Sequence, residues 1–348
     1  MAKVPTTVIG VDLGRYSLKS VLLQRAGSNR FVVTHVASRV LSEPIANGEA
    51  LGRELKTLFK EMGGPGAKIC GVGVSSPDAL IRIIEQPETP TELLREALRL
   101  NGMALMNQDC REMVLDCDKI PTNDAAMSSE SGVAHHKRYL VGGLPRSHVA
   151  QIGEGFERTG AGVGVMQLAP VCSFNAFEFA QEEVFNNEAF FLVDIGHTSS
   201  TVMVGVKREL ILVRTIDFGG KALVEALTGL SGEGRETVFQ ALDQEDEVMV
   251  EYTRVALSAL VREIQSSIGF LEHRREETIR QLYVSGGAAK SRTLLKVLSE
   301  ELRLPCEAWS AIGKCESTVP ANQRELLEQH ALDLNVACGA AAELLKRN

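Results

Sequence analysis

The stretch Val8-Ile9-Gly10-Val11-Asp12-Leu13-Gly14 returns in outline, about half a chain later, as Phe191-Leu192-Val193-Asp194-Ile195-Gly196. Each is an apolar run that closes on Asp-x-Gly and passes into a second β-like run. The first continues as Lys19-Ser20-Val21-Leu22-Leu23, the second as Thr201-Val202-Met203-Val204-Gly205-Val206. A buried strand of this kind delivers a carboxylate to its end, where it can hold Mg²⁺ through water. The following glycine lets the chain turn at positive φ and bring backbone N–H groups toward phosphate oxygens. Small hydroxyl residues complete the turns: Ser17 in the first copy, Thr198, Ser199 and Ser200 in the second. One such hairpin is ordinary turn chemistry, because Asp and Gly are common turn residues. Two of them, one per half, predict two like-folded halves facing a single nucleotide.

A third element is Leu282-Tyr283-Val284-Ser285-Gly286-Gly287-Ala288-Ala289, a short β-type run that ends in Gly-Gly. A helical pattern follows at once, with Leu294, Leu295, Val297, Leu298 and Leu302. Two glycines between strand and helix let the backbone pass flat against a ligand, and the new helix offers unpaired N–H groups. After two Asp-x-Gly hairpins, this is the pattern expected of an adenosine-binding turn.

Composition agrees with a two-lobed globular protein. At 348 residues the chain exceeds the length at which single cores stop growing. Its 44% hydrophobic and 24% charged content is that of an ordinary soluble chain. A net charge of −8 argues against a nucleic-acid binder, and no stretch approaches the roughly 20 apolar residues that span a bilayer. Met1-Ala2-Lys3-Val4-Pro5 leads straight into the first β-like run, so no signal peptide is expected. The seven cysteines are odd in number and show no C-x-x-C pair, as reduced thiols would. The expectation is an intracellular protein.

The collinear order of hairpin, hairpin and Gly-Gly turn resembles the actin, Hsp70 and sugar-kinase superfold. More narrowly, the chain resembles the type IV pilus assembly family PilM, a relative of the cell-division FtsA branch. Asp12-Leu13-Gly14 with Ser17 and Lys19 is similar to that family's first phosphate loop, D-[IL]-G-x-x-[ST]-x-K. Arg214-Thr215-Ile216-Asp217-Phe218-Gly219-Gly220 resembles its entry to the second-half helical subdomain. Pro90-Thr91-Glu92-Leu93-Leu94-Arg95-Glu96-Ala97 resembles the start of its small inserted domain.

The resemblance implies an α/β, actin-like ATPase fold of two duplicated lobes around a nucleotide cleft, with a small SHS2-like inserted α+β domain in the first lobe. The expected first-lobe core is 1–77 with 163–189, and the insertion is 78–162. The second-lobe core is 190–220 with 279–348, carrying a helical subdomain at 221–278. ATP or ADP with Mg²⁺ is implied between the lobes, with Asp12 and Asp194 near the metal. Lys19, Ser17 and the backbones of Gly14, Gly196, His197 and Thr198 would surround the phosphates. Gly219, Gly220, Ser285, Gly286, Gly287 and Ala288 would meet the ribose and adenine. Glu263, beside Arg262 on a charged helix, either reaches the adenosine or belongs to a solvated face. His197 stands where the family carries a small residue, and its imidazole crowds the γ-phosphate position.

No residue stands out as a general base, so at most slow ATP hydrolysis is expected. The implied partner is the short cytoplasmic tail of a PilN-like inner-membrane protein, held in a groove between the first lobe and the insertion. Contact with the pilus motor ATPase is implied as well, and self-association stays open. Localisation would be cytoplasmic, at the inner face of the inner membrane through the partner. FtsA-like chains carry an amphipathic membrane helix after the last core helix, whereas this sequence runs out at Leu345-Lys346-Arg347-Asn348; direct membrane insertion is not expected. The expected role is a scaffold of type IV pilus or type II secretion-like assembly; the alternatives are a sugar-kinase-like phosphotransferase, with Asp124 or Asp78 as base, or an FtsA-like cell-division actin homologue.

Between the motifs, helices are expected at Asn47 to Met62, Glu92 to Leu100, Ser147 to Arg158 and around Val171–Phe185. Strands are expected at Ile69 to Val74, Leu80–Glu85, Met113–Asp116, Arg138–Gly142 and Val163–Leu168. The charged helix Arg254 to Glu277 carries Val255, Leu257, Leu260, Val261, Ile264 and Ile268 at helical spacing. The last helix, Asn335 to Lys346, holds Gly339-Ala340-Ala341-Ala342, which reads either as a close-approach hinge helix or as merely Ala-rich. Three motifs read as decoys. Asn123-Asp124 sits in a polar stretch with no strand leading in, His135-His136 lacks a third ligand at suitable spacing, and Gly160-Ala161-Gly162-Val163-Gly164 precedes a strand instead of following one.

Overall fold

The computed structural model describes residues 6–27, 30–63, 68–121, 136–275 and 277–346. The chain opens with β1 (Thr7–Leu13), β2 (Ser17–Arg25) and β3 (Phe31–Val40), then α1 (Gly48–Met62) and β4 (Ile69–Val74). Asn47 caps α1, its side chain accepting the Ala50 N–H. Next come β5 (Leu80–Pro87), α2 (Thr91–Met106), β6 (Met113–Lys119) and β7 (His136–Pro145), followed by α3 (Arg146–Glu157), β8 (Gly162–Leu168), α4 (Ala169–Ala180) and α5 (Glu182–Asn187). The second half holds β9 (Ala189–Ile195), β10 (Ser200–Val206), β11 (Glu209–Ile216), α6 (Gly220–Ser231), α7 (Arg235–Ala241) and α8 (Glu247–Arg275). It ends with β12 (Leu282–Ser285), α9 (Arg292–Leu302), β13 (Cys306–Ala308), β14 (Glu316–Ser317), α10 (Arg324–His330) and α11 (Asn335–Lys346).

The repeat read from the two Asp-x-Gly runs is a repeat of topology. One sheet has the order β14-β3-β2-β1-β4-β8, the other β11-β10-β9-β12-β13. In each, the strand that bears the aspartate pairs antiparallel with its hairpin partner and parallel with a later strand on its other side. Asp12 lies opposite Lys19 and beside Gly73, and Asp194 lies opposite Thr201 and beside Ser285. The two carboxylates therefore occupy equivalent places in equivalent sheets.

Between the sheets lie α4 and α11. The last helix lies on β1, β2 and β4 and against α4, and small residues are what let it sit so low. A Cβ on Gly10 would lie 1.9 Å from the Ala337 carbonyl oxygen, and one on Gly339 would lie 1.8 Å from that of Cys172. The Gly-Ala run is thus a close-approach surface and not simply an Ala-rich helix. Within 279–348, α11 and also β14, which pairs with β3, join the first sheet. On the far face of that sheet, Leu51, Leu55 and Leu58 of α1 pack with Ile152 and Phe156 of α3. The second sheet buries Leu257, Leu260, Val261 and Ile264 of α8 with Leu223 and Leu227 of α6.

The three-stranded sheet β5-β7-β6 forms its own core with α2, through Leu94, Leu98, Met106, Cys117, Tyr139 and Val141. Its other face leans on the body through Ile81, Ile83 and Leu140. Arg138 ties it there: its guanidinium donates to Glu209 Oε1 at 2.6 Å and to the Ile211 carbonyl at 2.8 Å.

Three local expectations need adjustment. The α2 helix extends past Leu100 to Met106, across a kink at Asn101, because Gly102 packs against Cys110 and Met106 is still a core residue. The helix expected around Val171–Phe185 is two, broken at Gln181. Val255 faces solvent, since the buried stripe of α8 runs through Leu257, Leu260, Val261, Ile264 and Leu271. Asn123, Asp124 and His135 lie outside the described residues.

Candidate functional site

Both hairpin tips and the Gly-Gly turn open onto one cleft of about 1050 Å³. Of the residues expected from sequence, Asp12, Gly14, Ser17, Lys19, Asp194, Gly196, His197, Thr198, Gly220, Gly286, Gly287 and Ala288 line it. Its floor carries an excess of negative charge. Lys19 Nζ reaches Asp12 Oδ2 at 3.1 Å; Asp12 is buried and Lys19 mostly so. Asp12 Oδ1 is buried and accepts no hydrogen bond among the described residues. Asp194 Oδ1 accepts from Ser285 Oγ at 2.7 Å. Asp333, just ahead of α11, is a third carboxylate, held by His330 Nδ1 at 3.0 Å and by Lys290 Nζ at 3.4 Å.

Two lysines among three carboxylates, Lys19 at Asp12 and Lys290 at Asp333, have predictable electrostatics. Burial pushes Asp12 above the usual carboxylate range, and Lys19 only partly offsets it. Asp194 is likewise raised by burial, despite the Ser285 hydrogen bond. Burial works against the charge on Lys19, yet Asp12, Asp333 and Asp194 together hold it above its ordinary value. Burial would raise Asp333 too, but the His330 hydrogen bond, Lys19 and Lys290 keep it low. A floor with an orphaned carboxylate oxygen suits a divalent cation. No three His, Cys, Asp or Glu side chains converge as direct ligands among the described residues. Mg²⁺ keeps several waters and takes one or two carboxylates, and Asp12 and Asp194 are the carboxylates that would hold it here.

The turns themselves are rigidly clamped. Gly196 N–H donates to the Ser199 carbonyl at 3.0 Å. The start of α6 closes on the same turn, Gly220 N–H donating to the Gly196 carbonyl and Lys221 N–H to that of His197. Gly219 does not line the cleft; a Cβ there would meet the His197 carbonyl oxygen at 2.6 Å, so its smallness serves this closure. Gly286 takes φ +92°, with Ile195 backbone filling the space a Cβ would need. Ser285 stands one layer behind, acting on the cleft through Asp194.

Glu263 is set apart from this group. It lies half-exposed on α8, 3.8 Å from Arg214, and does not line the cleft. The wall on that side is built by α6 and α7 with Leu223, Val224, Arg235 and Phe239, which hold α8 a layer back. Asp78 is also off the wall and stands 3.7 Å from His148.

Sequence reasoning missed Arg15, Tyr16, Lys290, His330 and Asp333. The Tyr16 and His197 rings stack with centroids 3.8 Å apart and planes 10° from parallel, and Arg15 Nη1 donates to Thr198 Oγ1 at 3.4 Å beside them. The first hairpin tip is thereby joined to the second. The available signal was Tyr16 as the aromatic residue of the Gly14-Arg15-Tyr16-Ser17 loop. For Asp333, an acid placed at the entry to a Gly-Ala helix that must approach the cleft was another.

Two sheets of one topology, each delivering an aspartate to a shared cleft, define an actin-like ATPase fold. The chain belongs to the PilM family: the model of type IV pilus assembly protein PilM matches residues 10–344. Among solved structures it is similar to the PilM–PilN type IV pilus biogenesis complex, at 20% identity and a TM-score of 0.81, covering 99% of each chain. It is also similar to ethanolamine utilization protein EutJ from Carboxydothermus hydrogenoformans (15% identity, TM-score 0.52, 97% of this chain and 89% of that one). A diol dehydratase-reactivating factor in nucleotide-free form shares the fold at 8% identity and a TM-score of 0.56, covering 98% of this chain and 100% of the other. No curated protein matches the sequence.

Proposed function

We propose that this chain is a nucleotide-binding scaffold of the type IV pilus assembly platform. It holds ATP or ADP with Mg²⁺ between its hairpins and recruits the cytoplasmic tail of a PilN-like inner-membrane protein. The observation that carries the nucleotide reading is the convergence of Asp12 and Asp194 from equivalent strands onto one cleft floor, with Asp12 Oδ1 unpaired. Asp12 and Asp194 would hold the hydrated cation, Lys19 would face the phosphates, and the Gly286–Gly287 turn would take the adenosine side. Mg²⁺, when bound, neutralises the phosphate charge that this acidic floor would otherwise repel. Hydrolysis is slow or absent in this reading, because Asp194 is engaged by Ser285 and His197 is stacked on Tyr16. Neither is poised as a base toward water.

The scaffold reading draws on a second cavity, of about 260 Å³, between the inserted sheet and α4. Ile81, Ile120 and Leu140 form one wall and Pro170, Val171 and Phe174 the other, an apolar slot suited to a short extended segment. No helix among the described residues is long and apolar enough to cross a membrane. Placement at the inner face of the inner membrane would thus come through the partner. Titrating a fluorescent peptide of the partner's cytoplasmic tail into the wild-type chain and Leu140→Asp tests this. Saturable binding weakened at least tenfold by Leu140→Asp is expected; equal binding by both would remove the tail from this slot.

A further inference from the structure

We infer that the Tyr16–His197 stack makes this cleft a nucleoside diphosphate site that discriminates against the triphosphate. The inference rests on the nucleotide reading above and names which nucleotide that cleft prefers. Tyr16 and His197 line the same cleft as Gly286 and Gly287, so a phosphate chain laid from that turn toward the hairpin tips, as the nucleotide reading has it, would bring its last phosphate to this pair. Those tips are already joined to each other. Tyr16 and His197 lie face to face with ring centroids 3.8 Å apart, at van der Waals contact, so nothing fits between them. The Arg15–Thr198 hydrogen bond closes the same gap from the side.

Neither ring can simply swing away with its turn. The Tyr16 carbonyl accepts from Leu41 N–H at 2.9 Å, which fixes the first tip to the end of β3. The His197 carbonyl accepts from Lys221 N–H at 2.8 Å, which fixes the second tip to the start of α6. In this reading a third phosphate would have to part the stack or turn one of its rings aside, whereas a diphosphate would end one group short and leave the rings together. The imidazole does not compensate with charge. Burial, with Lys221 and Arg235 nearby, holds His197 below its ordinary pKa, so it stacks as a neutral ring.

A stacked aromatic pair contributes enough to shift selectivity by roughly 2- to 10-fold. The test is calorimetric titration of the full chain with Mg-ADP and with a non-hydrolysable Mg-triphosphate analogue. Wild type is compared with Tyr16→Ala, His197→Ala and Tyr16→Phe, each checked for an unchanged melting transition. Wild type should bind the diphosphate more tightly. Either alanine variant should move the affinity ratio toward the triphosphate by roughly 2- to 10-fold, and Tyr16→Phe, which keeps the ring, should not. Nucleotide binding with the same ratio in all four proteins, or a wild type that prefers the triphosphate, overturns the inference and leaves the nucleotide reading standing. Absence of binding by every protein overturns both.

Discussion

The two aspartate hairpins share one topology and solve different electrostatic problems. In the first, Asp12 faces Lys19 across the strand pair and has Gly73 beside it on β4; in the second, Asp194 faces Thr201 and has Ser285 beside it on β12. One buried carboxylate is balanced by an ion pair, the other by a neutral hydrogen bond. The strands differ in bulk as well. Gly10 and Leu192 stand at equivalent places two residues before each aspartate, and only the first must admit the backbone of α11. Duplication of a fold thus fixes where a carboxylate goes, and the neighbours decide what it costs to keep it there.

The largest expected effect tests the first half of that contrast. Lys19→Met leaves Asp12 buried without its cation, and breaking such a pair typically costs about 3–5 kcal/mol in denaturant unfolding. Its register counterpart Thr201→Val should cost less than about 1 kcal/mol. Equal losses would erase the distinction between the hairpins. Next, Gly10→Ala drives a Cβ into the Ala337 carbonyl and should cost about 1–3 kcal/mol, against under about 1.5 kcal/mol for Leu192→Met at the equivalent place. A neutral Gly10→Ala would mean that α11 can lift off β1 freely. Ser285→Ala should cost about 1 kcal/mol and raise the Asp194 pKa further, measurable by carboxylate NMR titration. A fall in that pKa would show that Ser285 is not what restrains it.

The smallest effect concerns pH. Asp12 and Asp194 are both raised above 3.8 in the folded chain. The folded state therefore retains protons that the unfolded state has released, and stability falls as pH rises from about 4 through the raised values. Asp333 is lowered, so its contribution is lost only as pH falls below the ordinary carboxylate range. Unfolding midpoints of Asp12→Asn between pH 4 and 7 should accordingly vary less than those of wild type. A steeper dependence in the variant would place the titration elsewhere.

The hairpins, the Gly-Gly turn and the bounds of α11 were legible in the sequence because each is local: a buried run, a turn residue, a glycine where the backbone needs one. Eleven residues on the cleft wall belong to the two hairpins and the Gly-Gly turn, and Gly220 came from the family resemblance at Arg214–Gly220. What escaped depends on distant partners. Glu263 stood open between the adenosine and a solvated face, and its position turns on α6 and α7, which line the cleft where α8 does not. Tyr16 shows what it stacks on only when His197 arrives from the other half, and Asp333 acts on the charge of Lys19 only because α11 docks beside the cleft. The α2 helix runs past Leu100 because Gly102 packs against Cys110 and Met106 is buried in the core beyond the kink at Asn101, contacts that no local motif announces.

The most direct test of the cleft is calorimetric titration of Mg-ADP and Mg-ATP into the wild-type chain beside Asp194→Ala. Saturable binding by wild type that is lost in Asp194→Ala is the predicted result. Wild type that binds neither nucleotide, or Asp194→Ala that binds as well as wild type, would contradict a site built on the paired hairpins.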